Sequence, residues 1–97
     1  MLHLGIMVQD QHQKTVEMLA HYGGVNTDLE QIHLHIIDNG SRHPYRSYFF
    51  ENLPWAKITV HRLESTIATE NELEEYSLGL LRVLAADGDS IIITCTT

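Results

Sequence analysis

Cysteine is almost absent from this chain: Cys95 is the only one in 97 residues. A lone thiol excludes an internal disulfide and any zinc site built on cysteine pairs, and it fits a reducing compartment. Basic residues are scarce too. Six Lys and Arg stand against 13 Asp and Glu, a net charge of −7 with histidine neutral. A surface of that sign repels phosphate backbones and anionic lipid, so no nucleic-acid partner is expected. No apolar run reaches the ~18 residues of a transmembrane helix, so no membrane span is expected. The first residues lack the basic start and apolar stretch of a signal peptide, because His3, Gly5, Gln9 and Asp10 arrive too early; the expected location is cytoplasmic. Neither G-x-G-x-x-G after the first apolar run nor G-x-x-x-x-G-K-[ST] occurs, which argues against a dinucleotide site and against a P-loop.

What remains is an ordinary globular composition, 43% hydrophobic and 20% charged. The length suits a single domain over residues 1–97, burying somewhat over ~60% of the surface the unfolded chain exposes. Seven histidines are many for this length. Protonating them all would bring the charge near zero, so solubility is expected to fall in mild acid.

Short apolar runs alternate with segments of helical period. Leu2 to Val8 reads as a buried strand, and Lys14 to Tyr22 as a helix through Val16, Leu19 and Ala20, stopped by Gly23-Gly24. Gln31 to Ile37 is a second strand, with Ile32, Leu34 and Ile36 on one face and His33, His35 and Ile37 on the other. Asp38-Asn39-Gly40-Ser41 ends it in a turn. Arg42 to Leu53 carries mixed signals but admits a helix: Ser41 as cap, Pro44 in the first turn, Tyr45, Tyr48, Phe49 and Leu53 on one face, Pro54 as the stop. Ala56 to Leu63 is a third strand. Asn71 to Ala86 is the clearest helix, with acids crowding its first turn, and Ser90 to Cys95 is a fourth, apolar strand. The order β-α-β-α-β-α-β with apolar strands implies an α/β fold. The expectation is three α/β/α layers around a four-stranded, mainly parallel, Rossmann-like sheet. Such sheets bind ligands at the carboxyl ends of their strands, here Gln9 to His12, Asp38 to Ser41, Arg62 to Ser65 and Cys95 to Thr97.

Three of these landmarks carry a resemblance. The step Ile37-Asp38-Asn39-Gly40-Ser41 resembles the "V-D-(D/N)-G-S" of family 2 glycosyltransferases with the GT-A fold. Ala85-Ala86-Asp87-Gly88-Asp89-Ser90-Ile91-Ile92-Ile93 resembles that family's "A-x-G-D-x-I-x-x-L" approach to its metal motif. The first strand leads into Gln9-Asp10 where the family carries "P-T-Y-N". The ordered set spans nearly the whole chain and corresponds to the N-terminal, nucleotide-binding half of such an enzyme. The resemblance implies strand order 3-2-1-4 and a nucleotide-sugar ligand contacted by Gln9, Asp10, Asp38 and Asn39. A carboxylate can accept hydrogen bonds from a base N–H or a ribose hydroxyl. The same Asp38 to Ser41 segment serves equally well as a plain turn and helix cap.

The departures bear on chemistry. The family's D-x-D, which holds a divalent metal on the diphosphate, aligns with Cys95, Thr96 and Thr97. None offers the carboxylate oxygens that hard cations require, so no cofactor and no divalent metal are expected. The acceptor-binding half has no residues in this sequence. The expected function is a nucleotide-sugar-binding domain without independent catalysis, and whether any enzymatic activity survives is left open. The alternative is a non-catalytic interaction or self-associating module that binds a protein partner or a second copy. It would use the bare sheet edge or the aromatics Tyr48, Phe50 and Trp55.

Two further constellations have simpler roles. His33 and His35 share a strand face, and with His3, or with Asp10 and His12, they could form a small metal site. Histidines packed at a helix–sheet boundary are the commoner outcome. Cys95 could act as a nucleophile beside a histidine, but no flanking pattern supports that over a buried thiol.

Overall fold

The computed structural model describes residues 1–25 and 28–96. Four strands, β1 (Leu2–Val8), β2 (Ile32–Asp38), β3 (Lys57–Arg62) and β4 (Ser90–Cys95), form one sheet in the order β3-β2-β1-β4. Every neighbouring pair runs parallel. This is the doubly wound, Rossmann-like arrangement expected from apolar strands joined by crossovers. Thr97, grouped above with the end of the fourth strand, lies outside the described residues.

The period of two along each strand sorts side chains between the two faces. One face carries Leu4, Ile6 and Val8 of β1, Leu34 and Ile36 of β2, and Ile58 and Val60 of β3. Helix α1 (His12–Val25) covers it through Leu19, joined by Tyr45, Phe50 and Trp55 from the β2–β3 connection. The other face carries Met7, Ile37, Ile93 and Cys95, under Leu73 and Leu80 of helix α2 (Glu70–Leu84). Thr69 caps α2, accepting from the Glu72 amide at 3.2 Å, and Glu70 and Glu72 lie in its first turn, where the helix dipole favours acids.

The helix expected over Arg42 to Leu53 does not form. The connection is a loop with one 3-10 turn, Ser47–Phe50. Its amides are committed elsewhere: Ser41 and Tyr45 N–H donate to the Asp38 carboxylate, and Arg42 N–H donates to Asp10 Oδ1 at 2.8 Å. Pro44 also biases His43 away from helical backbone. The aromatics reach the core from a loop instead. Phe50 and Trp55 are therefore buried, 3% and 6% exposed, and unavailable as interface anchors, whereas Tyr48 is 61% exposed. Helix α1 also runs past Gly23-Gly24 to Val25. Gly23 is set by packing rather than by helix termination: a Cβ there would lie 2.6 Å from Pro54 Cγ.

Candidate functional site

The sheet changes winding direction between β1 and β4, since α1 lies on one face and α2 on the other. At such a switch point the loops leaving the strands diverge and a crevice opens. Here it is a cavity of about 360 Å³. Met7, Val8, Ile67 and Leu73 form its apolar part, and Gln9, Gln11, Asn39, Thr69, Glu70 and Thr96 its polar part, with Cys95 beside them. The Cys95 thiol lies 3.9 Å from Glu70 Oε1. Among the described residues, no Lys or Arg lines the cavity. Its chemistry is amide, hydroxyl and carboxylate, matched to a ligand with hydrogen-bond donors and acceptors on a flat apolar body.

The four residues that the resemblance implies as nucleotide contacts part company here. Gln9 and Asn39 line the crevice. Asn39 is also a clamp: its Nδ2 donates to the Ile67 carbonyl at 3.0 Å, and its Oδ1 accepts from the Ile67 amide at 2.8 Å. That pair pins the β3–α2 loop that supplies Ile67, Ala68 and Thr69 to the cavity. Asp10 is exposed, adopts φ 49°, and turns toward the β2–β3 loop, its amide donating to Ser41 Oγ and its carboxylate accepting from Arg42 N–H. Asp38 lies fully buried beneath the crest. Its Oδ1 accepts from Ser41 N–H at 2.9 Å, and its Oδ2 from Tyr45 N–H at 3.1 Å and Arg62 Nη1 at 2.9 Å. Burial would raise its pKa, but these hydrogen bonds from Ser41, Tyr45 and Arg62 outweigh it and hold the carboxyl below the usual range. Both oxygens are already engaged inside the protein, so Asp38 shapes the crest.

Gly40 completes the turn at φ +67°, against the Thr66 hydroxyl, where a Cβ would come within 2.6 Å. Gln11 lies on the strand end that the sequence places at the rim, whereas sequence reasoning did not single out Thr69 or Glu70. The available signal was the cap-and-acid pattern at the start of α2, which a doubly wound sheet delivers to the switch point.

A second constellation occupies the same sheet face as α2. Helix α2 packs over β1 and β4, so beyond Ile37 the part of that face over β2 and β3 carries the polar side chains His33, His35, Lys57, Thr59 and His61. His3, His35 and His61 step diagonally across β1, β2 and β3, two residues further along at each strand. His3 Nδ1 and His35 Nε2 are 2.9 Å apart, as are His35 Nδ1 and His61 Nε2. His3 Nε2 lies 3.0 Å from Asp89 Oδ2. The His33 ring lies 3.9 Å from that of His35, centroid to centroid and tilted by 30°, and its Nε2 meets Thr59 Oγ1 at 2.7 Å. His3 and His35 are buried, at 4% and 0% exposure.

Burial, then the charges of His33, His61, His3 and Lys57, push His35 down to about 3. Burial first, and then Lys57, His3 and His61, lower His33; burial lowers His61. The Ala86 amide, His3 and the N-terminal ammonium hold Asp89 down to about 2. The arrangement departs from the sequence expectation in its membership. Asp10 is bound to the β2–β3 loop, and His12 stacks on Tyr45 at 4.0 Å among the α1-side residues, its Nε2 buried without a partner among the described residues. His61 and Asp89 replace them, because parallel register brings every second residue of adjacent strands together.

No family model, curated protein or solved structure matches this chain.

Proposed function

We infer that this chain is a glycosyltransferase-like domain that binds the nucleoside end of a nucleotide sugar in the β1–β4 crevice, without independent catalysis. The observation that carries this reading is the crevice itself, at the switch point of a parallel sheet and lined by Gln9, Gln11, Asn39, Thr69, Glu70 and Thr96. Amides complement the donor and acceptor edge of a base, and Glu70 accepts from ribose hydroxyls. With no cationic side chain in the lining and an acidic chain overall, the phosphates gain little, so affinity is weak. The residues aligned with D-x-D, Cys95, Thr96 and Thr97, supply no carboxylate for a metal-bound diphosphate.

Titration with uridine, UDP and a UDP-sugar, with and without Mn²⁺, followed by amide NMR shifts, tests the reading. The expected result is saturable millimolar-range binding that maps to Gln9, Thr69 and Thr96, is weakened several-fold by Gln9→Ala, and is indifferent to Mn²⁺. Absence of any saturable shift at these residues with all three ligands overturns it.

One observation favours the second reading, self-association. Ile92 on the edge strand β4 is 52% exposed, on the face that α1 leaves bare there. Edge strands with exposed apolar residues pair with other chains. Light scattering decides it: a dimer that Ile92→Lys converts to monomer supports the reading, and a monomer at high concentration removes it.

A further inference from the structure

The histidine face carries an inference independent of the crevice. We propose that His3, His33 and His35 form a binding site for a borderline divalent transition ion such as Zn²⁺, and that His61 relays the tautomer change that binding requires. One ring nitrogen of each of the three lies within 4.8 Å of those of the other two. A tetrahedral ion holding nitrogens at about 2.0–2.1 Å separates them by about 3.3 Å, so side-chain adjustment on the order of 1 Å closes the set. Imidazole is the ligand these ions share, whereas Mg²⁺ requires oxygens.

The outer contacts are those of a metal site. Asp89 Oδ2 holds His3 Nε2 at 3.0 Å, a carboxylate–histidine pair that orients Nδ1 toward the ion position. Thr59 Oγ1 fixes the His33 ring. His33 is the half-buried member and gives an ion its way in, while His3 and His35 are shielded.

The hydrogen bonds set the direction of the protons. An ionised Asp89 can only accept, so His3 carries its proton on Nε2 and presents Nδ1 as an acceptor. His35 then donates from Nε2 to His3 Nδ1, and His61 donates from Nε2 to His35 Nδ1. An ion between His3 Nδ1 and His35 Nε2 displaces the His35 Nε2 proton. His35 regains one at Nδ1 from His61 Nε2, and His61 takes one from solvent at Nδ1. One proton leaves the site and one enters, so binding is proton-neutral and reverses two tautomers.

The full chain is titrated with Zn²⁺ alone, by calorimetry and by imidazole ¹⁵N NMR, with Mg²⁺ as the hard-cation comparison. The expected results are one saturable Zn²⁺ site at micromolar or tighter affinity, no response to Mg²⁺, and exchange of the protonated and unprotonated nitrogens of His35 and His61. His33→Gln, at a half-buried position, is expected to weaken binding 10-fold or more, and His21→Gln at an exposed position of α1 to leave it unchanged. A tetrahedral visible spectrum with Co²⁺, lost in His33→Gln, adds a readout independent of affinity. Zn²⁺ uptake equal in wild type and His33→Gln overturns the site. Uptake with the His35 and His61 tautomers unchanged overturns the relay.

Discussion

At the scale of single residues, the most consequential group is the Asp38 carboxylate, although it does not line the crevice. It gathers the amides of Ser41 and Tyr45 and the guanidinium of Arg62, which also donates to the Ser41 carbonyl at 3.1 Å. The crest loop is folded around this one buried charge. Asp38→Asn removes the charge and sets an N–H₂ against the Ser41 donor or against those of Tyr45 and Arg62, so it is expected to cost about 3–5 kcal/mol, the usual consequence of breaking a buried pair. That is a large share of the ~5–15 kcal/mol by which a domain of this size is stable. Urea denaturation measures it, with a shift in midpoint at constant slope as the expected form. Arg62→Ala is expected to cost less, because its side chain is one-third exposed and water can replace part of the contact. A loss for Asp38→Asn within the range of surface substitutions would show that the carboxylate is dispensable to the crest.

At the scale of elements, two glycines in helices make opposite predictions. Glycine costs a helix interior roughly 1 kcal/mol relative to alanine. Gly79, in α2, has nothing within 4 Å of a Cβ, so Gly79→Ala is expected to stabilise by about 0.5–1 kcal/mol. At Gly23, in α1, a Cβ would meet Pro54 Cγ at 2.6 Å and Trp55 Nε1 at 3.2 Å, and that indole donates to the Leu19 carbonyl at 2.9 Å. Gly23→Ala is expected to destabilise by about 1–3 kcal/mol despite the better propensity, since a proline ring cannot swing aside. Thermal melts of the two variants should move in opposite directions. The pair also shows what was legible in the sequence. The strands, their parallel sense and both long helices follow from local pattern: apolar alternation in β2, the acids of α2, the turn at Asp38 to Ser41; the order 3-2-1-4 was implied by the resemblance alone. The β2–β3 connection does not. Tyr45, Phe49 and Leu53 mimic a helical stripe, while the competing claim on the loop's amides comes from Asp38 and Asp10, whose reach is set by tertiary structure. The crevice was legible in location, at the carboxyl ends of the strands. Its membership was not, because whether a carboxylate faces a ligand or its own loop depends on donors such as Arg62, 24 residues away.

At the scale of the whole molecule, the histidine layer alters how the protein meets acid. Protonating all seven histidines would nearly cancel the charge of −7, but His33, His35 and His61 resist protonation in the folded state. His35, faced by His3, His33, His61 and Lys57, has its pKa at about 3 when folded and the ordinary 6.5 when unfolded. Between those values the unfolded chain binds more protons, so stability is fully present above about pH 6.5 and falls as pH drops below it. The slope is about 1.4 kcal/mol per pH unit for a histidine held wholly neutral. His33 and His61 act in the same direction with less weight because water reaches them. Asp38 and Asp89, held below the usual carboxylate range, add a second loss that begins only below about pH 4. All five shifts leave the folded chain with fewer protons than its sequence implies, so its isoelectric point lies below the 5.3 computed from composition. Isoelectric focusing with and without urea checks this. The native band is expected at lower pH than the denatured one, and the minimum of solubility moves with it, away from the mild acid that the histidine count alone suggests. Coincident bands would mean that the histidines titrate as they do in the unfolded chain, and that the diagonal from Asp89 to His61 is open to water.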